Sequence, residues 1–216
     1  MYARRSATFC LLCVSIASGQ PMASAGKDVA VFLKTSAILS APVLADAQSE
    51  LSSQMRTIGV RIIWWNPGQG QPQPAVSRLI IADFNGVCSS LSASPDEAFA
   101  ASNLPPLAST SVSDGIILPF AHVDCSALEQ LVGPVLAAQP VSRREHLFGR
   151  AIGRLLAHEV YHIVAQTADH AQAGIAKEHF STKDLLAEHF DFDPATIARA
   201  ASPARLSTSP QVHLAP

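Results

Sequence analysis

Charge is scarce in this sequence. Lys and Arg together number 15 and Asp and Glu 17 among 216 residues, a net charge of −2. So thin and even a balance excludes the basic stripe that a nucleic-acid surface needs and the like-charged runs that mark interaction tails. No stretch approaches the ~20 consecutive apolar residues that cross a bilayer. Methionine stops at Met55, and cysteine is confined to Cys10, Cys13, Cys88 and Cys125. Internal repeats are missing. The length suits one domain of ordinary size with its own core.

The first residues read as a targeting segment. Arg4 and Arg5 form a positive start, Thr8 to Ala17 is a short apolar run, and Met22-Ala23-Ser24-Ala25 offers the small residues that a signal peptidase reads. A signal peptide over 1–25 with cleavage after Ala25 is therefore expected, and with it a secreted or periplasmic location. Removing it takes away Cys10 and Cys13. Cys88 and Cys125, an even number in an oxidising compartment, are then expected to pair as a disulfide. They are too few to build a zinc site of their own.

The body of the chain, 26–193, divides into strands and then helices. Asp28 to Ala37, Val60 to Trp65, Leu79 to Phe84 and Gly115 to Val123 read as four strands, and Val43 to Arg56 as a helix backing them. Residues 89 to 110, rich in Ser, Ala and Pro, read as a surface loop. Pro119 inside the fourth strand points to an edge position. Helices are expected at Ala127 to Ala138 and from Ser142, with Glu145 closing a capping box, to about Gln166. A short helix capped by Ser181 with Asp184 at the box position runs to Phe190. From Pro194 the Ala/Pro/Ser-rich composition reads as a disordered tail, with at most a turn of helix at Ile197. The expected class is α+β: a mixed four-stranded sheet with a backing helix, an active-site helix, and a short C-terminal helical region.

The chemistry lies in His158-Glu159-Val160-Tyr161-His162. On a helix the two histidines stand one turn apart on the same face. Two imidazoles so placed can share one Zn²⁺, with Glu159 beside the metal as acid/base rather than ligand. A catalytic zinc takes a third protein ligand and keeps one position open for water.

The stretch from His158 to His170 resembles the zincin metallopeptidases, and more closely their metzincin branch. That branch carries H-E-x-x-H-x-x-G-x-x-H and a later methionine-containing turn. In this chain His170 falls two residues late, Ala165 stands where the family has Gly, and no Met follows Met55. The resemblance implies zinc as cofactor, His158, His162 and His170 as its ligands, and Glu159 as the catalytic residue. The helix is expected to continue about half a turn past the Gly position before the chain doubles back. It also implies that the strand before the active-site helices, Gly115 to Val123, is an edge that holds extended substrate by backbone pairing.

Other third ligands remain open from the residues alone: Asp169, Glu178, Glu188, His179 and His189. Glu178, His179, Glu188 and His189 also read simply as a solvated polar face. Arg143, Arg144, Arg150 and Arg154 recur at helical spacing and read as another. His122, His146 and His213 have no motif around them. The function expected is an exported zinc metallopeptidase acting on peptide or protein, monomeric, without nucleic acid and without membrane insertion after signal cleavage. The alternatives are a zinc hydrolase of another amide, such as cell-wall peptide, and a non-catalytic binding protein on the same scaffold.

Overall fold

A computed structural model describes residues 27–35, 39–70, 72–86, 88 and 105–201. The expected signal peptide, most of the loop 89 to 110, and the tail beyond Ala201 with His213 lie outside these residues. Among the described residues no helix is long and apolar enough to cross a membrane.

The fold is a mixed α+β arrangement around one five-stranded sheet. Strands β1 (Lys27–Thr35), β2 (Val60–Trp64), β3 (Arg78–Asn85), β4 (Ala108–Ser113) and β5 (Ile116–Asp124) lie in the order β2-β1-β3-β5-β4. The pairs β1–β2, β1–β3 and β3–β5 are parallel, and β4 runs antiparallel to β5. Period-two alternation sends Ile80, Ala82 and Phe84 of β3 inward with Val29 and Val31 of β1 and Ala121 and Val123 of β5. Helices α1 (Ala41–Thr57) and α3 (Val141–Ala165) complete that core. Helix α2 (Cys125–Leu136) opens on Asp124, whose carboxylate accepts from the Ala127 N–H at 2.8 Å. Cys88 and Cys125, both fully buried, form the expected disulfide.

Several expectations need correction. The sheet has five strands, not four, because the end of the supposed surface loop forms β4. Consequently the strand over Gly115 to Val123 is not an edge: β5 is flanked by β3 and β4, and β4 is the edge. Pro119 is accommodated because β5 pairs with β3 only from Phe120 onward, while its pairing with β4 is interrupted by a register shift between Thr110 and Val112. The Ser142–Glu145 capping box does not form. Pro140 occupies the cap of α3, and the Glu145 carboxylate instead accepts from Ser40 Oγ at 2.8 Å, joining the starts of α1 and α3. The supposed tail begins with a further helix, α5 (Pro194–Ala201), which Asp193 caps through the N–H groups of Ala195 and Thr196. Ile197 and Ala200 pack against the core, and Lys27 Nζ donates to the Ala200 carbonyl at 2.5 Å.

Helices α1 and α3 approach closely through Gly149 and Gly153. A Cβ at Gly149 would lie 2.6 Å from the Val43 carbonyl oxygen, and one at Gly153 would lie 2.6 Å from Glu50 Cβ. Next to this contact Arg154 is 1% exposed, so it does not belong to a solvated face. Its Nε donates to Glu50 Oε1 at 2.9 Å, and Nη1 donates to the carbonyls of Asp184 and Leu185 at 2.7 and 3.1 Å. Of the four arginines only Arg143 is exposed.

Helix α4 (Thr182–Leu186) carries the expected capping box from Ser181 to Asp184, though it ends before Phe190. Asp184 Oδ2 also accepts from Lys177 Nζ at 2.7 Å. Burial pushes this carboxyl up, but the donors Lys177 and Ser181 together hold it below its usual 3.8. A carboxyl depressed on folding adds stability above its ordinary range and loses it as pH falls through the folded value. Asp184→Asn is therefore expected to cost about 1–2 kcal/mol at pH 7, with the gap closing as pH falls below the ordinary carboxylate range. Urea unfolding of both proteins across that range checks this; a gap that is flat in pH counts against it.

Candidate metal centre

The middle of α3 is buried on all sides, and this is what makes its polar residues informative. His158, Glu159 and His162 are 6%, 5% and 6% exposed. Buried polar groups need partners. His158 Nδ1 lies 2.7 Å from the Ile175 carbonyl oxygen, and His162 Nδ1 lies 2.6 Å from that of Thr167. A carbonyl accepts only, so each Nδ1 carries the proton. In a neutral ring each Nε2 is then a bare acceptor. The two Nε2 atoms face each other at 2.9 Å.

Burial holds both rings neutral at pH 7. It pushes His158 down to about 4, against the Ile175 carbonyl and helped by the neighbouring His162 and His170. His162 is lowered for the same first reason, with His170 adding to the effect and Thr167 and Asp169 opposing it. Two facing lone pairs between neutral rings repel, and a shared cation relieves that repulsion. Tetrahedral zinc with bonds of 2.0–2.1 Å spaces its ligand nitrogens about 3.3 Å apart, a few tenths of an ångström from what is seen. A backbone carbonyl on the far nitrogen is also what metal-binding histidines usually have.

The third histidine arrives from the turn after the helix. Helix α3 ends at Ala165, so the expected extra half turn is not there. Gln166 takes the left-handed conformation at φ 49°, and its N–H donates to the His162 carbonyl. This is a conformation glycine adopts freely and glutamine rarely. The Gln166 amide offsets part of the strain by donating to the carbonyls of Ile163 at 2.7 Å and Ile117 at 3.2 Å. His170 is thereby brought back over α3. Its ring stacks on His158 with centroids 5.3 Å apart, and a ring nitrogen of each of His158, His162 and His170 lies within 4.8 Å of the others. The turn that supplies Ile175 depends on Gly174 at φ 70°, where a Cβ would run into the Asp191 carbonyl.

The competing ligands stay apart. Among the described residues the one group able to hold a metal ion is His158, His162 and His170. Asp169, Glu178, His179, Glu188 and His189 are exposed and outside it. Asp169 lines a separate cavity of about 100 Å³ with Lys27 and Arg199. Glu178 and His179 line a larger cavity of about 550 Å³ that also reaches His158 and Glu159. Its other walls include Leu107, Leu131, Leu155 and Phe180, a size and lining suited to a ligand.

Glu159, next to His158 on α3, is buried as well. Burial pushes its carboxyl up to about 7, against a hydrogen bond from Thr110 that pulls it down. Thr110 is a site residue that sequence reasoning missed, because it lies in the stretch taken for a loop. The Gly149-x-x-x-Gly153 spacing, also passed over, is a legible signal for close helix packing. No known protein family matches this chain, and no curated protein matches it either.

Proposed function

We propose that this chain is an exported zinc-dependent hydrolase of peptide bonds, built on a zincin-like fold. What supports the reading most directly is the pair of unprotonated Nε2 atoms facing each other on successive turns of α3, with His170 beside them. Three imidazoles and no thiolate form the donor set of a catalytic rather than a closed structural zinc. His158, His162 and His170 would hold the ion. Zinc bound there lowers the pKa of a coordinated water toward about 7 and polarises a carbonyl.

The chain's own residues supply the rest. Glu159 accepts the proton released by the attacking water and passes it to the leaving amine. Its burial, which favours the neutral carboxyl, suits a group that must hold that proton between the two steps. The Nδ1–H donors of His158 and His162 to Ile175 and Thr167 fix the ring orientations. Strand β4 is the edge of the sheet among the described residues and takes the role first expected of β5: an extended peptide can pair along it. The fully buried disulfide and the N-terminal targeting pattern favour an extracytoplasmic setting. A scaffold without catalysis would have no use for Glu159 in this position.

Zinc titration of the metal-free protein is the direct test. One equivalent is expected to bind and to be required for cleavage of a casein-like substrate. His170→Ala is expected to weaken zinc binding at least as much as the 10–100-fold typical of losing an outer partner. Variants of Asp169, Glu178 and Glu188 leave it unchanged. Unaltered zinc affinity in His170→Ala would remove that residue from the ligand set. A protein that takes up no zinc would end the hydrolase reading.

A further inference from the structure

Glu159 is not held by its own helix. Among the described residues its carboxylate has one hydrogen-bond partner: Thr110 Oγ1 donates to Oε2 at 2.6 Å and lies 3.3 Å from the Glu159 carbonyl oxygen. Thr110 comes from β4, 49 residues earlier in the chain. Two features of the sheet bring it there. Thr110 pairs with Ala121, whose small, fully buried side chain leaves room for the edge strand to lie against α3. The register shift falls between Thr110 and Val112, immediately after it. Alternation and bulge together put Thr110 on the α3 side, while Ser111 contacts His122 Nε2 at 3.2 Å.

We propose that Thr110 is a positioning residue for Glu159: its hydroxyl holds Oε2 and leaves Oε1, which has no donor among the described residues, to exchange the proton. A carboxylate that must first accept and then release a proton gains from having one oxygen tied, because the other is then always the one presented. Free rotation of the carboxyl about its last bond is otherwise broad. The hydroxyl suits both states, since it donates to a carboxylate and can also accept from a carboxylic acid. The link also joins the proton-handling group to the strand along which an extended peptide would pair. The purpose of the contact rests on the hydrolytic reading above, but its test needs no turnover.

The probe is acetohydroxamate, a small zinc chelator whose N–H and O–H can donate to a carboxylate beside the metal. Its affinity for the zinc-loaded full chain is measured in the wild type, Thr110→Val, Thr110→Ser, Glu159→Ala and the Thr110→Val/Glu159→Ala double variant. Zinc affinity and melting temperature are measured alongside. Thr110→Val is expected to weaken acetohydroxamate about tenfold, the loss of roughly one hydrogen bond to a charged group, at unchanged zinc affinity. Thr110→Ser recovers most of it. In the Glu159→Ala background, where Thr110 has no carboxylate to hold, the effect of Thr110→Val disappears, which a merely structural role would not produce. Should Thr110→Val not fold, Thr110→Ala gives the same comparison.

Equal affinity in Thr110→Val and wild type would overturn the proposal. So would an effect that persists without Glu159, or a zinc-loaded wild type that ignores the probe. A wild type that binds zinc and acetohydroxamate yet cleaves no peptide sinks the peptidase reading alone, and Thr110 is then judged on these affinities.

Discussion

Glu159→Gln is expected to keep its zinc and lose its hydrolysis. Glutamine matches glutamate in shape and can still accept from Thr110 through its amide oxygen, but it cannot take up a proton. General acid–base catalysis by one positioned group contributes about 10²–10⁴-fold, and the fall in kcat/KM for a casein-derived peptide is expected in that range. The three histidines are untouched, so zinc stoichiometry and affinity stay at the wild-type level. The effect is expected in kcat rather than KM, because Glu159 acts on the reacting proton and not on the remote parts of the substrate. Activity within a few-fold of wild type would take Glu159 out of the mechanism. Loss of zinc together with activity would mean that the carboxylate serves the metal site structurally.

The largest expected effect on stability belongs to Glu50. Arg154 is buried against α1 with Glu50 as its charge partner, and its guanidinium lies 5.7 Å from the Phe190 ring centre. Burial lowers the arginine's pKa, and Glu50 and Asp191 act against that while Arg150 adds to it. Removing one partner of a buried pair leaves an uncompensated charge, so Glu50→Ala is expected to cost about 3–5 kcal/mol. For a chain of this length that corresponds to a fall of about 10 °C in Tm. Replacing the pair together, Glu50→Leu with Arg154→Met, is expected to return most of the loss, since apolar residues of similar volume often substitute for such pairs. Urea unfolding of the single and double variants is the measurement. A cost below about 1 kcal/mol for Glu50→Ala would show that water or another anion reaches the guanidinium.

Much of this was open to reading because periodicity reports local packing. The spacing of His158 and His162 and the apolar residues around them announce a buried helix with two imidazoles on one face. The runs Val29 to Leu33, Val60 to Trp64 and Leu79 to Phe84 announce strands. What failed depended on partners far along the chain. Ala-Ser-Thr-Ser-Val-Ser has no apolar alternation, and β4 exists because β5 offers it a ladder. Ser142 and Glu145 fit a capping box locally, but Ser40, 105 residues away, engages Glu145 instead. Arg154 reads as a surface cation until Glu50, 104 residues away, is seen to meet it. Analogy of spacing points to His170, which the fold brings beside His158 and His162. The turn at Gln166 that delivers it has no such signal, because it uses a residue with no particular preference for that backbone conformation.

The bond from Lys27 to the carbonyl of Ala200 joins the first strand to the last helix. The described chain is thus nearly a closed loop. A few added residues would make it a ring, at an entropic cost that grows only slowly with the length of the join. New ends could then be opened at an exposed bend such as Asn66–Gly68. The order in which the helix of His158 and His162 leaves the ribosome is in that sense an accident of where the ring was cut.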